Sequence, residues 1–436
     1  MKVCKFGGTS MATTQSILQV KSIIDRDPER KFIVVSAPGK RFSNDVKITD
    51  MLYAAYDEKV AFGTCKSSMK VIRERFLGLC EELGLDIDMN KYLDEVEEGI
   101  INSTSSDYAA SRGEYLSAIV VSAVLGFKMI DAGDIIKFNN NGIFDAELTN
   151  DLVKKYADYT DGIVIPGFYG RMPDKTIKTF TRGGSDFTGA IIARGIGARI
   201  YENWTDVNGF MVTDPRIVEN PKHISVLSYE ELRELSYMGA GVLHPDSIFP
   251  VQIDNIPINI RNTFDPENEG TMIMDNTAGY VLPVVTGIAG RKGNTTILIK
   301  KAMMNGELGF CRKVLTVLER HGISVEHIPT GIDTMGIVLS DAGLKNADEE
   351  KIISDIRGMV NPDFIKISHS LALIAVVGHG MVNQLGTAAK IFTALYEAGV
   401  NIRMIDQGSS ELNIIVGVEE KDYNASIKAI YNAFFG

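Results

Sequence analysis

The stretch Phe32-Ile33-Val34-Val35-Ser36-Ala37-Pro38-Gly39 is a short run of large, mostly β-branched apolar residues that ends in a loop containing proline and glycine. Such a run predicts a strand that is buried on both faces and continues into a loop. Residues 162–167 and 199–204 repeat the pattern, and helical segments lie between the strands at 108–125 and 187–196. Strands that alternate with helices predict an α/β fold with a mainly parallel sheet.

Composition and charge narrow the class of protein. The chain has 436 residues, of which 45% are hydrophobic and 23% charged, so two to four ordinary globular domains of ~100–200 residues each are expected. The net charge of −11 argues against general nucleic-acid or anionic-membrane binding. The N-terminus lacks a signal-peptide pattern, and no run approaches the ~20 apolar residues of a membrane span. The four cysteines form no CxxC pair, which favours a reducing cytoplasm over a zinc site or a disulfide framework.

The last third of the chain contains an internal repeat. Residues 308–328 read LGFCRKVLTVLERHGISVEHI, and residues 385–405 read LGTAAKIFTALYEAGVNIRMI, with no gap at an offset of 77. Each copy predicts an amphipathic helix that ends at a glycine in the left-handed conformation, followed by a strand (323–325 or 400–402). A further strand is predicted soon after, at 336–339 and 412–416. Chance similarity of two amphipathic helices is the alternative, and the shared turn residues argue against it.

The segment KFGGTS at residues 5–10 follows a strand and precedes a predicted helix from about Thr13. Gly7 and Gly8 allow the backbone to approach a ligand closely, and free N–H groups there can bind phosphate while Lys5 adds positive charge. The segment is not a Walker motif. A simple strand–turn–helix corner remains the alternative.

A second glycine-rich segment, Phe180-Thr181-Arg182-Gly183-Gly184-Ser185-Asp186, leads into a helix. Ser185 is predicted to be the N-cap of that helix. Arg182 offers a planar fork for a carboxylate or a phosphate, and Asp186 can bind magnesium or orient the reacting groups. Alternatively, Asp186 only complements the helix dipole.

Three weaker segments have two readings each. Glu114, within a helical stretch, can accept a substrate ammonium group or be a solvated charge on a helix face. Residues 48–50, after the basic loop that follows the first buried strand, are similarly ambiguous. Residues 204–209 end a strand and precede Asp-Pro-Arg at 214–216, which is either a ridge for a nucleotide or an ordinary hairpin.

Together these segments resemble the aspartate kinase family over essentially the whole chain. The markers, in order, are KFGGTS at 5–10, GE at 113–114, RGGSD at 182–186, TDVNG at 205–209, TDPR at 213–216 and VLHP at 242–245. The resemblance implies an amino-acid-kinase (carbamate-kinase-like) catalytic domain followed by two interleaved ferredoxin-like ACT domains. The implied boundaries are 1–280 for the catalytic domain, 281–300 for a linker and first strand of the second ACT domain, 301–370 for the first ACT domain and 371–436 for the second.

The resemblance also implies roles for individual residues. The catalytic pair is Lys5 and Asp186, and no metal is implied beyond substrate-bound Mg²⁺ near Asp186. Aspartate is expected at Thr49, Glu114, Arg182, Gly183, Gly184 and Ser185. The nucleotide is expected at Lys5, Gly7, Gly8, Thr9, Ser36, Thr205, Asp206, Met211, Arg216 and Gly241. An amino-acid effector is expected at Met304, Ser324, Val325, Glu326 and Thr330.

Three positions depart from the family pattern. Gly241 stands where a lysine near the nucleotide is usual, Asp50 follows Thr49 where asparagine is common, and Met211 stands where tyrosine is common. The missing lysine removes a phosphate contact, for which residues of the basic loop, Lys40, Arg41 and Lys47, are the candidate replacements.

The expected reaction is transfer of a phosphoryl group from ATP, with Mg²⁺, to the side-chain carboxylate of aspartate. The product, 4-phospho-L-aspartate, would begin lysine, threonine and methionine synthesis. Lysine is the expected inhibitor because Glu326 can pair with its ammonium group, and a homodimer or a dimer of dimers is expected through the ACT domains. The alternatives are a glutamate, acetylglutamate or UMP kinase of the same fold, and a catalytically inactive amino-acid sensor.

Overall fold

A computed structural model describes residues 1–181, 183–241, 243, 245–275, 280 and 282–436. The chain forms two compact units. The first comprises Met1–Phe210, Ser225–Leu232 and Gly241–Tyr280, and the second comprises Met211–Ile224, Arg233–Ala240 and Val281–Gly436. The predicted domain boundary at residue 280 stays a prediction. Two short segments before it, Met211–Ile224 and Arg233–Ala240, belong to the second unit.

Strands and helices alternate in the first 280 residues. The strands are β1 (Lys2–Phe6), β2 (Arg30–Val35), β3 (Lys128–Met129), β4 (Ile163–Pro166), β5 (Tyr169–Arg171), β6 (Ile177–Thr179), β7 (Ile200–Thr205), β8 (Phe210–Met211), β9 (His223–Ile224), β10 (Val226–Leu227), β11 (Ile258–Asn262) and β12 (Thr271–Ile273). The helices are α1 (Thr14–Asp25), α2 (Ile48–Phe62), α3 (Lys66–Glu82), α4 (Met89–Asn102), α5 (Ser106–Leu125), α6 (Ala132–Ile135), α7 (Ala146–Lys154), α8 (Gly184–Gly195), α9 (Tyr229–Tyr237) and α10 (Phe249–Ile253). The α/β alternation that the sequence predicts is confirmed.

The central sheet has the strand order β10-β12-β11-β7-β1-β2-β4-β3. The neighbouring strands are parallel except for the antiparallel pair β11–β12. β1 lies in the middle, and its register places Lys5 beside Val34 of β2 and Asn203 of β7. Because the carboxyl ends of parallel strands meet at one edge, the segments that follow β1, β2 and β7 share that edge.

The second unit is built on a five-stranded antiparallel sheet. Its strands, in the order β14-β13-β15-β17-β16, are β13 (Gly287–Lys300), β14 (Thr334–Ser340), β15 (Phe364–Val377), β16 (Met404–Asp406) and β17 (Asn413–Glu419). Its helices are α11 (Phe310–Arg320), α12 (Asp341–Leu344), α13 (Glu349–Val360), α14 (Thr387–Glu397) and α15 (Tyr423–Phe435). The first half of β13 pairs with the second half of β15, and the second half of β13 with the first half of β15, so both repeat copies share these two strands.

The internal repeat is a structural repeat, with one correction. Gly322 and Gly399 follow α11 and α14 in the left-handed conformation, with φ of 68° and 69°, as predicted. The strands predicted at 323–325 and 400–402 are wrong, because those residues have no strand pairing. In the first copy only isolated bridges form, His327 with Val338 and Thr330 with Met335, and in the second copy β16 begins later, at Met404. The runs of β-branched residues therefore did not identify which residues pair in the sheet.

Short 3₁₀ helices lie at Gly8–Met11, Pro245–Ile248, Met304–Gly306, His379–Met381 and Glu420–Asp422. Among the described helices, none has the length and apolar character that crossing a membrane requires. Cys4, Cys65, Cys80 and Cys311 are all free thiols.

The central strands bury a charged cluster around Glu202. Arg30 Nε lies 2.8 Å from Glu202 Oε2, Lys2 Nζ lies 3.3 Å from Oε1, and the Trp204 indole donates a hydrogen bond of 2.9 Å. Burial raises the pKa of Glu202, but its contacts with Arg30, Lys2 and Trp204 outweigh burial and leave the pKa below its ordinary value. The cluster is fully paired and holds β1, β2 and β7 in register.

Replacing this carboxylate tests that structural role. Glu202→Ala leaves the Arg30 charge buried without its partner, so the free energy of unfolding should fall by ~3–5 kcal/mol in urea denaturation. Glu98→Ala, at an exposed position of α4, is the matched control and should change it by less than ~0.5 kcal/mol. Equal effects of the two substitutions would contradict the assignment.

Candidate active site

Lys5 and Asp186 form an ion pair at the carboxyl edge of the sheet. Lys5 is the penultimate residue of β1, Asp186 lies in the first turn of α8, and Lys5 Nζ is 2.6 Å from Asp186 Oδ1. The two side chains are only 10% and 19% exposed. The structure thus brings together the two residues that the resemblance implied as catalytic, and it places them where the helix N-terminus also favours anions.

Asn203 completes this cluster, and the sequence analysis gave it no role. Its amide Nδ2 donates a hydrogen bond of 2.8 Å to Asp186 Oδ1, and Lys5 Nζ lies 3.5 Å from Asn203 Oδ1. Asn203 is buried on β7, directly beside Lys5 in the parallel register. An amide side chain near the end of a predicted buried strand was the available signal. Its use required knowledge that β7 is the neighbour of β1.

The N-terminus of α8 differs from the prediction at one residue. Gly183 is the N-cap, with a left-handed φ of 55°, and its carbonyl accepts the hydrogen bond from the Phe187 amide. Ser185 is therefore not the N-cap but lies inside the first turn, because glycine alone enters this conformation without a steric penalty. Gly184 is the first helical residue, and Arg182 lies outside the described residues.

Two loops come into close contact beside Lys5. The Gly39 amide donates a hydrogen bond of 2.7 Å to the Gly8 carbonyl. A Cβ atom on Gly39 would lie 2.8 Å from the carbonyl carbon of Gly8, so the loop after β2 can approach Gly8 this closely only with a glycine at position 39. Thr9 lies in the 3₁₀ helix after β1, and the Ser36 amide bonds to the Phe6 carbonyl. The candidate nucleotide residues Gly7, Gly8, Thr9 and Ser36 are thereby placed at the same edge.

Glu114 is buried, so the alternative of a solvated helix-face charge is wrong. It lies in the middle of α5 with 5% of its surface exposed, and its Oε2 has no hydrogen-bond partner among the described residues. Burial raises the pKa of Glu114 to about 8, and the backbone at Ala37 and the charge of Arg112 offset only part of this effect. The preceding residue, Gly113, packs against Ala37, since a Cβ atom there would lie 2.6 Å from the Ala37 Cβ.

Thr49 approaches the same loop from α2. That helix begins at Ile48, whose amide bonds to the Pro38 carbonyl, and Thr49 is partly exposed while Asp50 is exposed. In the basic loop, Arg41 contacts Asp45 through Nε and Nη2, at 2.8 and 3.1 Å, so its guanidinium already has a partner. Lys40 and Lys47 are exposed, and Lys40 makes one contact of 3.4 Å with the Ser43 carbonyl.

The remaining nucleotide candidates are distributed over both units. Thr205 ends β7, and its hydroxyl lies 3.3 Å from Asp206 Oδ1. Gly241 is exposed in the first unit. Met211, on β8, and Arg216 belong to the second unit, where Arg216 is exposed and paired with Asp214 at 2.6 Å. The roles of these residues stay predictions.

The effector candidates lie in the second unit and separate into two groups. Met304 and Thr330 line a cavity of about 330 Å³ at the start of α11, together with Asn305, Glu307, Gly309, Phe310, Cys311, Arg312 and Gly331. Ser324 is exposed and Val325 partly buried, on the chain that follows α11. The Glu326 carboxylate already has two side-chain partners: it forms an ion pair with Arg291 and accepts a hydrogen bond from Tyr237. Their part in effector binding stays a prediction.

Comparison with known proteins identifies the family. A model of the amino acid kinase family matches residues 1–262, and an ACT domain model matches residues 374–434. Aspartokinase 3 of Bacillus subtilis is 39% identical, and the alignment covers 100% of this chain and 99% of that protein.

Solved structures agree with this. The crystal structure of Clostridium acetobutylicum aspartate kinase is 49% identical, with a TM-score of 0.90 and 99% of both chains covered. Escherichia coli aspartokinase III, solved in complex with lysine and aspartate in its T-state, is 25% identical, with a TM-score of 0.77 and 100% of both chains covered. The expected fold class, an amino-acid-kinase domain with a mainly parallel sheet followed by an ACT region, is confirmed. The chain belongs to the amino acid kinase family and, within it, to the aspartokinases, which are phosphotransferases.

Proposed function

We propose that this aspartokinase transfers the γ-phosphoryl group of ATP to the β-carboxylate of L-aspartate, giving ADP and 4-phospho-L-aspartate. The observation that carries the proposal is that a basic and an acidic side chain, Lys5 and Glu114, are both buried at one edge of the sheet. The buried cation of Lys5 suits a transferring phosphoryl group. The buried Glu114, one oxygen of which has no partner among the described residues, suits the ammonium group of a small zwitterion. Arg182, as the resemblance implies, would take a substrate carboxylate.

The chemistry needs no strong general base. A side-chain oxygen of aspartate forms the new bond to the γ-phosphorus, the bond from that phosphorus to the bridging oxygen breaks, and the electron pair leaves with ADP. Because the carboxylate is already ionised at neutral pH, no proton must be removed. Catalysis then depends on alignment and on stabilisation of the negative charge that spreads over the phosphoryl oxygens. Lys5 and the backbone amides at Gly7, Gly8 and the start of α8 are the groups suited to this.

Magnesium fits the residues at this edge. Mg²⁺ is usually bound by one or two carboxylates together with substrate phosphates. Asp186 offers such a carboxylate, and its contacts with Lys5 and Asn203 both use Oδ1, so Oδ2 is the oxygen that would hold the ion. When bound, the ion neutralises charge on the nucleotide phosphates.

We also propose that the reaction starts lysine, threonine and methionine synthesis and that lysine inhibits it through the second unit. The cavity at Met304 and Thr330 is of a size that suits an amino acid. The acidic Glu326 lies four residues before Thr330, and E. coli aspartokinase III, which shares this architecture, was solved with lysine. The proposed assembly is a homodimer or dimer of dimers, and the proposed compartment is the cytoplasm. In support of assembly, Leu308 and Leu385 stand at equivalent repeat positions and are 94% and 92% exposed.

An acyl-phosphate assay tests the reaction and its rivals together. The protein is incubated with ATP, Mg²⁺ and hydroxylamine, which traps acyl phosphates as hydroxamates. Aspartate should give a hydroxamate, whereas glutamate and acetylglutamate should give little. Hydroxamate from glutamate in preference to aspartate would favour another kinase of the same fold. No hydroxamate and no ADP release with either, from folded protein that still binds amino acids, would favour the inactive sensor.

The Lys5 cluster should control turnover. Lys5→Ala and Asp186→Ala each remove a charge at the reacting group, so kcat should fall by ~10²–10³-fold while the circular-dichroism spectrum stays unchanged. Asn203→Ala removes a hydrogen bond to a charged group and should lower kcat by ~10–100-fold. Lys21→Ala is the control, because Lys21 is a partly exposed residue of α1 whose ion-pair partner among the described residues is Asp25. Near-natural kcat in Lys5→Ala or Asp186→Ala would contradict the assignment.

Glu114 predicts a pH dependence of aspartate use. Since burial raises the pKa of Glu114 to about 8, the free enzyme at neutral pH carries mainly the neutral carboxyl, and a substrate ammonium binds the ionised form. The kcat/KM for aspartate should therefore rise by up to ~10-fold per pH unit from about pH 6 and level off above pH 8. Glu114→Gln cannot ionise, so it should lose both this rise and most of its aspartate use while ATP binding is retained.

The stability of the same variant is an independent check. A carboxyl whose pKa rises on folding binds its proton more tightly in the native state, so the native protein loses stability as the pH rises from the ordinary value of 4.5 towards 8. Glu114→Gln should consequently melt at a higher temperature than the natural protein at about pH 8, and the gain should shrink at about pH 5. A gain that does not depend on pH would show that Glu114 is not the titrating group.

A further inference from the structure

Glu326 is enclosed by two side chains from distant parts of the sequence. Arg291 Nη2 lies 2.5 Å from Glu326 Oε2, and the Tyr237 hydroxyl donates a hydrogen bond to the same oxygen. The Arg291 guanidinium also stacks on the Tyr237 ring, at 4.9 Å from its centre. The Glu326 side chain is only 11% exposed. A carboxylate held in this way is not free to bind a ligand unless a contact is exchanged.

The three residues all belong to the second unit and come from separate segments of it. Tyr237 is the last residue of α9, and Arg291 lies in β13, next to an irregularity in its pairing with β15. Glu326 follows α11, and its amide bonds to the Val338 carbonyl of β14. The cluster therefore joins the segment after α11, which contains several effector candidates, to the end of α9.

Arg291 contacts the Glu326 carboxylate through a single nitrogen. Its Nη2 lies 2.5 Å from Glu326 Oε2, whereas its Nε is buried and has no hydrogen-bond partner among the described residues. Burial raises the pKa of Glu326, yet Tyr237 and Arg291 outweigh burial and leave the pKa below its ordinary value. A guanidinium that contacts a carboxylate through one nitrogen lacks the two parallel hydrogen bonds that make the usual arginine–carboxylate pair strong.

Helix α9 is held firmly in the second unit by its last two turns. Glu234 accepts a hydrogen bond of 2.7 Å from the Asn413 amide of β17. Leu235 packs over Gly287, where a Cβ atom would lie 2.7 Å from the leucine side chain. The helix begins in the first unit, where the Tyr229 hydroxyl donates to the Ile256 carbonyl. A change at Tyr237 therefore acts on the C-terminal end of α9.

The second repeat copy lacks this chemistry. At the offset of 77, Arg403 stands where Glu326 stands in the first copy, and it pairs with Glu419 at 3.1 Å. A ligand ammonium would meet a like charge there. The repeat thus supplies a place for a cationic side chain in one copy only.

We propose that Arg291 and Tyr237 form a latch on Glu326, and that a cationic amino-acid effector opens it by replacing Arg291 with its own side-chain ammonium. Opening frees Tyr237 and so changes the restraint on the end of α9. This inference rests on the proposed feedback inhibition. Effectors without a side-chain cation would leave Glu326 paired with Arg291 and the latch closed.

The latch predicts opposite effects for its two charged residues. Arg291→Gln and Tyr237→Phe weaken the latched, active state, so the lysine concentration for half-inhibition should fall by about 5–10-fold. Glu326→Gln removes the partner of the effector ammonium and should raise that concentration by at least about 10-fold. Lys292→Gln, an exposed neighbour on β13, is the control and should leave it unchanged. The measurement is activity of the full-length protein against lysine, with threonine and methionine in parallel.

Each outcome has a distinct meaning. If lysine inhibits the natural protein but Arg291→Gln and Tyr237→Phe raise the half-inhibitory concentration or leave it unchanged, the latch is wrong and the feedback proposal stands. If none of the three amino acids inhibits the natural protein, both are wrong. Tyr237→Phe keeps the ring under Arg291 and removes only the hydroxyl, so it gives the answer even where Arg291→Gln fails to fold.

Discussion

A charge that is removed from water needs an opposite charge, and this constraint decides which residues at the carboxyl edge of the sheet are left for substrates. Glu202 is fully satisfied by Arg30, Lys2 and the Trp204 indole, so it stabilises the fold. Lys5 is paired with Asp186 but stays at the edge, where a phosphoryl group can share it. Glu114 is buried, and its Oε2 has no hydrogen-bond partner among the residues that the structure describes. The proposed role of Glu114 follows from this, since a ligand cation would supply the missing partner.

The parallel register of β1 and β7 brings the polar side chains of this edge together. Lys5 and Asn203 are direct neighbours on β1 and β7, and the first turn of α8 brings Asp186 to both. Gly113 lets α5 approach the loop after β2, and the contact of Gly8 with Gly39 closes that loop on the one after β1. The glycines of these loops thus do more than free the backbone, because they allow distances at which polar and charged groups from β1, β7, α8 and α5 share one edge.

Much of this could be predicted from local sequence. The buried strands, the α8 region and the repeat follow from periodicity and turn residues, and the motifs identify Lys5 and Asp186. Asn203 could not be found in that way, because its role depends on which strand lies beside β1. Burial of Glu114 was equally invisible, since an acidic residue in a helix looks the same whether it faces water or a loop. The N-cap at Gly183 was missed because serine is the commoner cap, whereas a left-handed φ selects glycine. The partners of Glu326 lie 35 and 89 residues away in the chain.

Binding of the substrate ammonium group by Glu114 is tested most directly by comparing aspartate with succinate. Succinate has the same two carboxylates and no ammonium group. The kcat/KM ratio of the two acceptors should be measured for the natural protein and for Glu114→Gln. The natural protein should prefer aspartate by ~10⁴-fold, because succinate leaves the buried carboxyl unpaired, and Glu114→Gln should reduce that preference by at least ~10²-fold. An unchanged preference in Glu114→Gln would contradict the account, since the ammonium group would then be recognised elsewhere.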